Sequence, residues 1–271
     1  MSTNLHWQSF GQGPDLVLLH GWGMNGAVWQ QTVESLQSSF RVHVVDLPGY
    51  GHSAEHHGED LAHIAQMVLE DAPDKAVWLG WSLGGLVATH IALNAPERVN
   101  KLITVASSPK FAAEKTWRGI QPKVLSAFTE QLLEDFSLTI ERFMALQAMG
   151  SPSARKDVKL LKQAVLSRPQ PNPDSLLVGL NILADVDLRD ALTSLTMPML
   201  RLYGRLDGLV PIKVASDLNE QLPHTEHGIF SQSSHAPFMT EHDAFCAASS
   251  RICGSLTVRG AKNSSCLKSG R

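Results

Sequence analysis

Six short runs of apolar and β-branched residues, each bounded by turn residues, recur along this chain. They are DLVLLHG (15–21), RVHVVDLPG (41–49), KAVWLGW (75–81), KLITVAS (101–107), PMLRLYG (198–204) and HGIF (227–230). Their near-continuous hydrophobicity suits strands covered on both faces, as in a parallel sheet. Helical patterns fill the gaps at 27–38, at 59–71 with Leu61, Ile64, Ala65, Val68 and Leu69 on one face, and at 83–96, which is apolar nearly all round and stops before Pro96. Strands alternating with helices predict an α/β fold built on a doubly wound, mostly parallel sheet. The stretch LHWQSFGQG (5–13) is expected to form an antiparallel edge hairpin.

The rhythm changes between 111 and 187. Strand patterns vanish there and helices are expected over 121–149, 153–167 and 174–184, with Pro152, Pro169, Pro171 and Pro173 at the breaks. This predicts a core of 1–110 and 188–245 interrupted by a helical cap, 111–187. After Cys246 the final helical pattern gives way to Ser, Gly and Lys, so 246–271 reads as an atypical tail, disordered or loosely attached.

At 271 residues and 43% hydrophobic content the chain can bury a large core. Its net charge of −3 speaks against nucleic-acid binding. No apolar run is long enough to span a membrane, and MSTNLHWQSF has neither the basic start nor the apolar core of a secretory signal. A cytoplasmic location is expected. Cys246, Cys253 and Cys266 match no metal-binding spacing and read as incidental thiols of a reducing compartment.

Gly80-Trp81-Ser82-Leu83-Gly84 places a serine between an expected strand and an expected helix. Such a serine is either part of a tight packing turn or a nucleophile on a G-x-S-x-G elbow, where small flanking residues permit a strained backbone. A nucleophile needs a base and an orienting acid, which follow the serine in the order acid, then His. Of the histidines beyond the helical segment, His224 and His227 flank the last strand and His242 falls in a helix. His235, in SQSSHAPF, lies in the loop that opens at the same sheet edge as Ser82 and is the expected base. Asp207, in the turn after the strand 198–204, is the expected acid, with Asp46 its nearest rival. Asp185, Asp187 and Asp190 lie too early, and Asp217 falls on a helix. The backbone N–H groups of Leu83 and of Trp22, in LLHGWG after the first core strand, are the expected oxyanion donors. His20 reads as structural.

Taken together, HGWG, DLPGYGHS, GWSLGG, YGRLDGLVP and SHAPF resemble the α/β-hydrolase superfamily over about 1–245. DLPGYGHS is similar to a structural loop of that fold, which makes Asp46 structural. A narrower resemblance, carried by LVLLHGWGMN, VASSPKF and ERFMALQAMG, is to the family of esterases that remove the methyl group from pimeloyl methyl ester on acyl carrier protein in biotin synthesis, and that also act on short-chain esters. The resemblance implies a Ser82–His235–Asp207 triad and no metal or organic cofactor. It also implies substrate contacts at Trp22, Ser82, Leu83, Phe143, Met144, Ala145, Leu146, Gln147 and His235. Beyond Cys246 the chain departs from the family, with a polar tail where a closing helix is expected.

Charge is distributed unevenly. Residues 1–109 carry 4 basic and 10 acidic side chains, whereas 110–170 carry 10 and 6. Arg142, Arg155 and Lys159 lie in that basic stretch, Arg142 on one expected helix and Arg155 and Lys159, together with Lys162, on one face of the next. They are expected to meet the acidic acyl carrier protein, the alternative being an ordinary solvated face. The expected state is a monomer. Rival readings of the same residues are another capped serine hydrolase, cleaving a carbon–carbon bond or a lactone, and a non-catalytic hydrolase-fold ligand receptor.

Overall fold

The most apolar strand forms the middle of the sheet. In the computed structural model, which describes residues 4–254, the strands are β1 (Trp7–Phe10), β2 (Asp15–Leu19), β3 (Arg41–Val45), β4 (Ala76–Trp81), β5 (Val99–Val105), β6 (Met199–Gly204) and β7 (Glu226–Phe230). Their order is β1-β3-β2-β4-β5-β6-β7, all parallel except β1, which runs antiparallel to β3. Every residue of β4 is buried, whereas the edge strand β7 is largely exposed. The fold is therefore the α/β class expected from the sequence.

The hairpin expected at 5–13 does not form. β1 passes over β2, its neighbour in sequence, and pairs with β3 in the register Trp7↔Val45 to Phe10↔Val42. Gly11 and Gly13 make that crossing possible. Both have positive φ, and a Cβ at Gly13 would lie 2.8 Å from the Ser39 carbonyl.

Helices α1 (Gln30–Leu36), α2 (Leu61–Glu70) and α3 (Leu83–Asn94) fill the connections of the first half. α3 buries residues on all sides, including Leu83, Leu86, Val87, Ala88 and Ile91, as its uniform hydrophobicity requires. Between β5 and β6 the chain is helical: α4 (Pro122–Glu134), α5 (Phe136–Ala148), α6 (Ala154–Leu166) and α7 (Pro173–Asp185). The single helical stretch expected over 121–149 is two helices. Asp135 leaves helical geometry and its carboxylate caps the second, accepting from Leu138 N at 2.9 Å.

The last elements are α8 (Lys213–Gln221), the short α9 (Pro237–Thr240) and α10 (His242–Gly254). α10 continues past the point where the sequence pattern fades, because Phe245, Cys246 and Ser249 pack inward. The remainder of the expected tail, from 255 on, lies outside the described residues. Burial pushes the Cys246 thiol up to about 11, which leaves it unreactive. The side chain of Cys253 and all of Cys266 lie outside the described residues. No described helix is long and apolar enough to cross a membrane.

One buried ion pair fastens the helical segment to the sheet. Arg168, just beyond α6, donates to Asp46 Oδ1 at 2.7 Å and to Gln8 Oε1 at 2.6 Å. Asp46 is fully buried and also accepts from Gly26 N at 2.6 Å and His52 N at 2.8 Å. Removing one partner of such a pair leaves an uncompensated charge in the core. Arg168→Leu is therefore expected to cost about 3–5 kcal/mol in urea unfolding. A loss below about 1 kcal/mol would show that Asp46 does not need the guanidinium.

Candidate active site

Ser82 sits between the end of β4 and the first turn of α3 with φ 54° and ψ −118°, a conformation that non-glycine residues rarely adopt. Gly80 and Gly84 permit it. A Cβ on Gly80 would collide with the Gly84 carbonyl, and one on Gly84 would lie 2.5 Å from the Leu19 and His20 carbonyls. The elbow is held from outside by Ser82 N–H donating to Val105 O at 2.9 Å and by Ser107 Oγ donating to Ser82 O at 2.8 Å.

His235 Nε2 lies 2.9 Å from Ser82 Oγ, and His235 Nδ1 lies 2.7 Å from Asp207 Oδ2. Because the carboxylate accepts, Nδ1 carries the proton and Nε2 is left to accept from the serine hydroxyl. The other Asp207 oxygen accepts from Leu209 N at 2.8 Å and Val210 N at 3.1 Å, which fixes the carboxylate plane. The two loops that carry Asp207 and His235 are laced together by Arg205 N to Phe230 O at 2.9 Å and Leu206 N to Ser233 O at 3.0 Å. Ser82, His235 and Asp207 are all buried, at 1%, 0% and 5% exposure.

Two contacts that sequence reasoning missed lock the His235 backbone. Its N–H donates to the Gln147 carbonyl at 3.0 Å, and its carbonyl accepts from the Trp81 indole at 2.7 Å. Trp81 was visible only as the variable residue of the elbow motif, and nothing in the sequence links Gln147 to His235. The Gln147 side-chain oxygen is buried and has no hydrogen-bond partner.

The loop after β2 approaches the same point, since a Cβ on Gly21 would lie 3.1 Å from Ser82 Cβ. His20 is fully buried. Its Nε2 accepts from Leu47 N at 3.0 Å and its Nδ1 lies 2.9 Å from the Gly21 carbonyl, so the ring is neutral with its proton on Nδ1. Trp22 is fully buried, donates its indole N–H to Leu176 O at 2.8 Å and lies against Phe143, with ring centroids 4.7 Å apart. Along α5, Phe143, Met144 and Gln147 are buried and Leu146 is half-buried, while the Ala145 side chain faces solvent. Arg142, Arg155 and Lys159 are exposed and make no ion pair among the described residues, but Lys162 is taken up by Glu141 at 2.6 Å.

The rejected candidates have other partners. Asp46 is clamped by Arg168, Asp187 by Arg189 and Lys110, and Asp217 by Lys213. His242 contacts Ser35 and the Phe238 carbonyl, and His224 and His227 are exposed. Among the described residues no group of three His, Cys, Asp or Glu side chains is placed to hold a metal ion.

A family model described as the alpha/beta hydrolase fold matches residues 14–242. A protein of Vibrio parahaemolyticus called "Pimeloyl-[acyl-carrier protein] methyl ester esterase" is 90% identical over 247 residues, covering 91% of this chain and 97% of the relative. One of the same name from Vibrio cholerae is 71% identical over 246 residues, covering 91% and 96%. Among solved structures, an esterase from Exiguobacterium antarcticum superposes with a TM-score of 0.80 at 23% identity, covering 92% of this chain and 95% of that one. An enol-lactonase from Burkholderia xenovorans superposes with a TM-score of 0.79 at 18% identity, covering 92% and 96%. These two speak to the fold alone.

Burial lowers the His20 pKa from 6.5 to about 4. Between those values the unfolded chain takes up a proton that the folded protein refuses, so stability falls as pH drops through that window. Wild type should lose about 2 kcal/mol more between pH 7 and pH 5 than His20→Asn, which keeps a donor near the Nδ1 position and does not titrate. Parallel pH profiles in urea unfolding would contradict this.

Proposed function

Because the chain belongs to the α/β-hydrolase fold family, and within it to the pimeloyl-[acyl-carrier protein] methyl ester esterases, we propose that it hydrolyses the methyl ester of pimeloyl-acyl carrier protein to the free acid and methanol. The observation that carries the chemistry is the Ser82–His235–Asp207 relay, with spacings of 2.9 and 2.7 Å, on a strained turn. The reaction serves biotin synthesis.

His235 takes the Ser82 proton as Oγ attacks the ester carbonyl. The oxyanion is held by Leu83 N–H, at the start of α3, and by Trp22 N–H. His20 supports the second donor. Its Nδ1–H holds the Gly21 carbonyl, and because the carbonyl and N–H of one trans peptide point to opposite sides, the Trp22 N–H is turned away from His20. Methanol leaves with the proton from His235. Water then adds to the acyl-serine by the same route and releases the acid.

Phe143, Met144, Leu146 and Gln147 on α5 line the acyl chain, and the unpartnered Gln147 oxygen is an acceptor left for substrate. Ser82 is 1% exposed, so the acyl arm reaches it only when the side chains over it give way. Arg142, Arg155 and Lys159 are the contacts for the acidic carrier protein.

The first test is mass spectrometry of the carrier-bound methyl ester. Wild type should remove one CH2 unit of mass and Ser82→Ala should leave the ester intact. If wild type leaves it intact yet cleaves a simple aryl ester, the triad stands and the substrate assignment falls. Charge reversal at Arg142, Arg155 and Lys159 should lower kcat/KM on the carrier-bound ester by roughly tenfold or more and leave a small ester within about twofold. Equal losses on both would remove the carrier-protein role.

A further inference from the structure

On the β1 side of the sheet, away from the central strand that carries Ser82, three adjacent strands bring a second serine, histidine and aspartate together. Ser9 Oγ lies 2.8 Å from His43 Nδ1, and His43 Nε2 lies 2.8 Å from Asp15 Oδ1. The strand order β1-β3-β2 produces the alignment. Ser9 is directly opposite His43, and His43 is opposite Val17, so Asp15, two residues before Val17, projects from the same face. The carboxylate accepts from Nε2, which leaves Nδ1 to accept from the Ser9 hydroxyl. The ring is thus used in the reverse sense to His235, with the same division between orienting acid and base.

The ladder also orients the Ser9 backbone. Asp46 N–H donates to the His6 carbonyl at 3.0 Å, and antiparallel pairs alternate between bonded and non-bonded. That makes Ser9↔His43 a non-hydrogen-bonded pair. Its side chains are close, and the Ser9 N–H points away from β3, towards the open edge of the sheet. The Ser9 amide is therefore not consumed by the β1–β3 ladder.

This cluster borders an open cavity of about 660 Å³ that also receives Trp7, Arg41 and Lys75. The Trp7 indole N–H has no hydrogen-bond partner. Arg41 makes no ion pair among the described residues. Ser9 is exposed, Asp15 is partly exposed and the His43 ring is 10% exposed, so a small ligand can reach the hydroxyl while the base stays shielded.

We propose that Ser9, His43 and Asp15 form a second, slower acyl-transfer centre that takes small activated carboxylic esters. Ser9 Oγ bonds to the acyl carbon as its proton passes to His43 Nδ1. The bond from carbon to the leaving oxygen breaks, and the alcohol or phenol departs with that proton. Water then attacks the acyl-serine, returns a proton through His43 to Oγ and frees the carboxylic acid. The site lacks the strained elbow and the helix N-terminus that serve Ser82. A missing fixed oxyanion donor costs about 10²–10³ in rate, so turnover should be near a thousandth of the main site's.

The test uses the full-length Ser82→Ala protein, which silences the main site. Incubation with p-nitrophenyl acetate, followed by peptide mapping, should find one acetyl group on Ser9 and slow release of p-nitrophenol above the buffer rate. Ser9→Ala, at an exposed position, should fold normally and bring release down to the buffer rate. His43→Gln and Asp15→Asn should each lower acetylation of Ser9 at least about tenfold. The proposal is overturned if Ser9 stays unacetylated in the Ser82→Ala protein, or if acetylation proceeds unchanged without His43.

Discussion

The backbone of Ser82 is the constraint on which the rest of the active site depends. A φ of 54° followed by a ψ of −118° is unfavourable for a residue with a side chain, and such geometry costs of order 1–3 kcal/mol. It persists because β4 is buried on both faces and α3 is apolar all round, so the turn between them cannot relax without exposing both. The glycines at 80 and 84 remove the clashes that would otherwise forbid it. The result is a hydroxyl raised at the carboxyl edge of the sheet, within reach of loops from β2, β6 and β7.

Those loops are positioned by polar contacts inside an apolar core. Neutral His20 bridges the Gly21 carbonyl and the Leu47 amide, so the turn after β2 is tied to the turn after β3. Asp46 then ties the second of these to Gly26, to His52 and, through Arg168, to the helical segment. At the other side of Ser82, the Gln147 carbonyl and the Trp81 indole grip the backbone of His235. The backbone of His235 is therefore held by one contact from the sheet and one from α5, so a shift of α5 would be felt at His235.

Much of the sheet was legible because buried parallel strands require unbroken apolar runs, and β2, β4 and β6 carry them. The edges were not. Nothing in LHWQSFGQG distinguishes pairing with β2 from pairing with β3, since register depends on what lies across the gap. The break at Asp135 was hidden because the apolar spacing of α4 runs on into α5, and only the cap geometry separates them. Ser82, Asp207 and His235 could be chosen by order along the chain and by the sheet edge to which each loop belongs. Ala145 shows the limit of carrying a contiguous motif over whole, because adjacent residues of a helix face different ways.

The amino-acid sequence by itself determined the alternation of strands and helices, the glycines that make a strained serine possible, and the order of nucleophile, acid and base. These are local properties, readable from volume, polarity and spacing. Only the tertiary structure decided that Arg168 answers Asp46 across 122 residues, that Gln147 holds His235, and that Ser9, His43 and Asp15 share one face of three neighbouring strands. Those contacts join parts of the chain with no common periodicity. Their existence depends on strand order and helix placement, which are settled by the burial of the whole core.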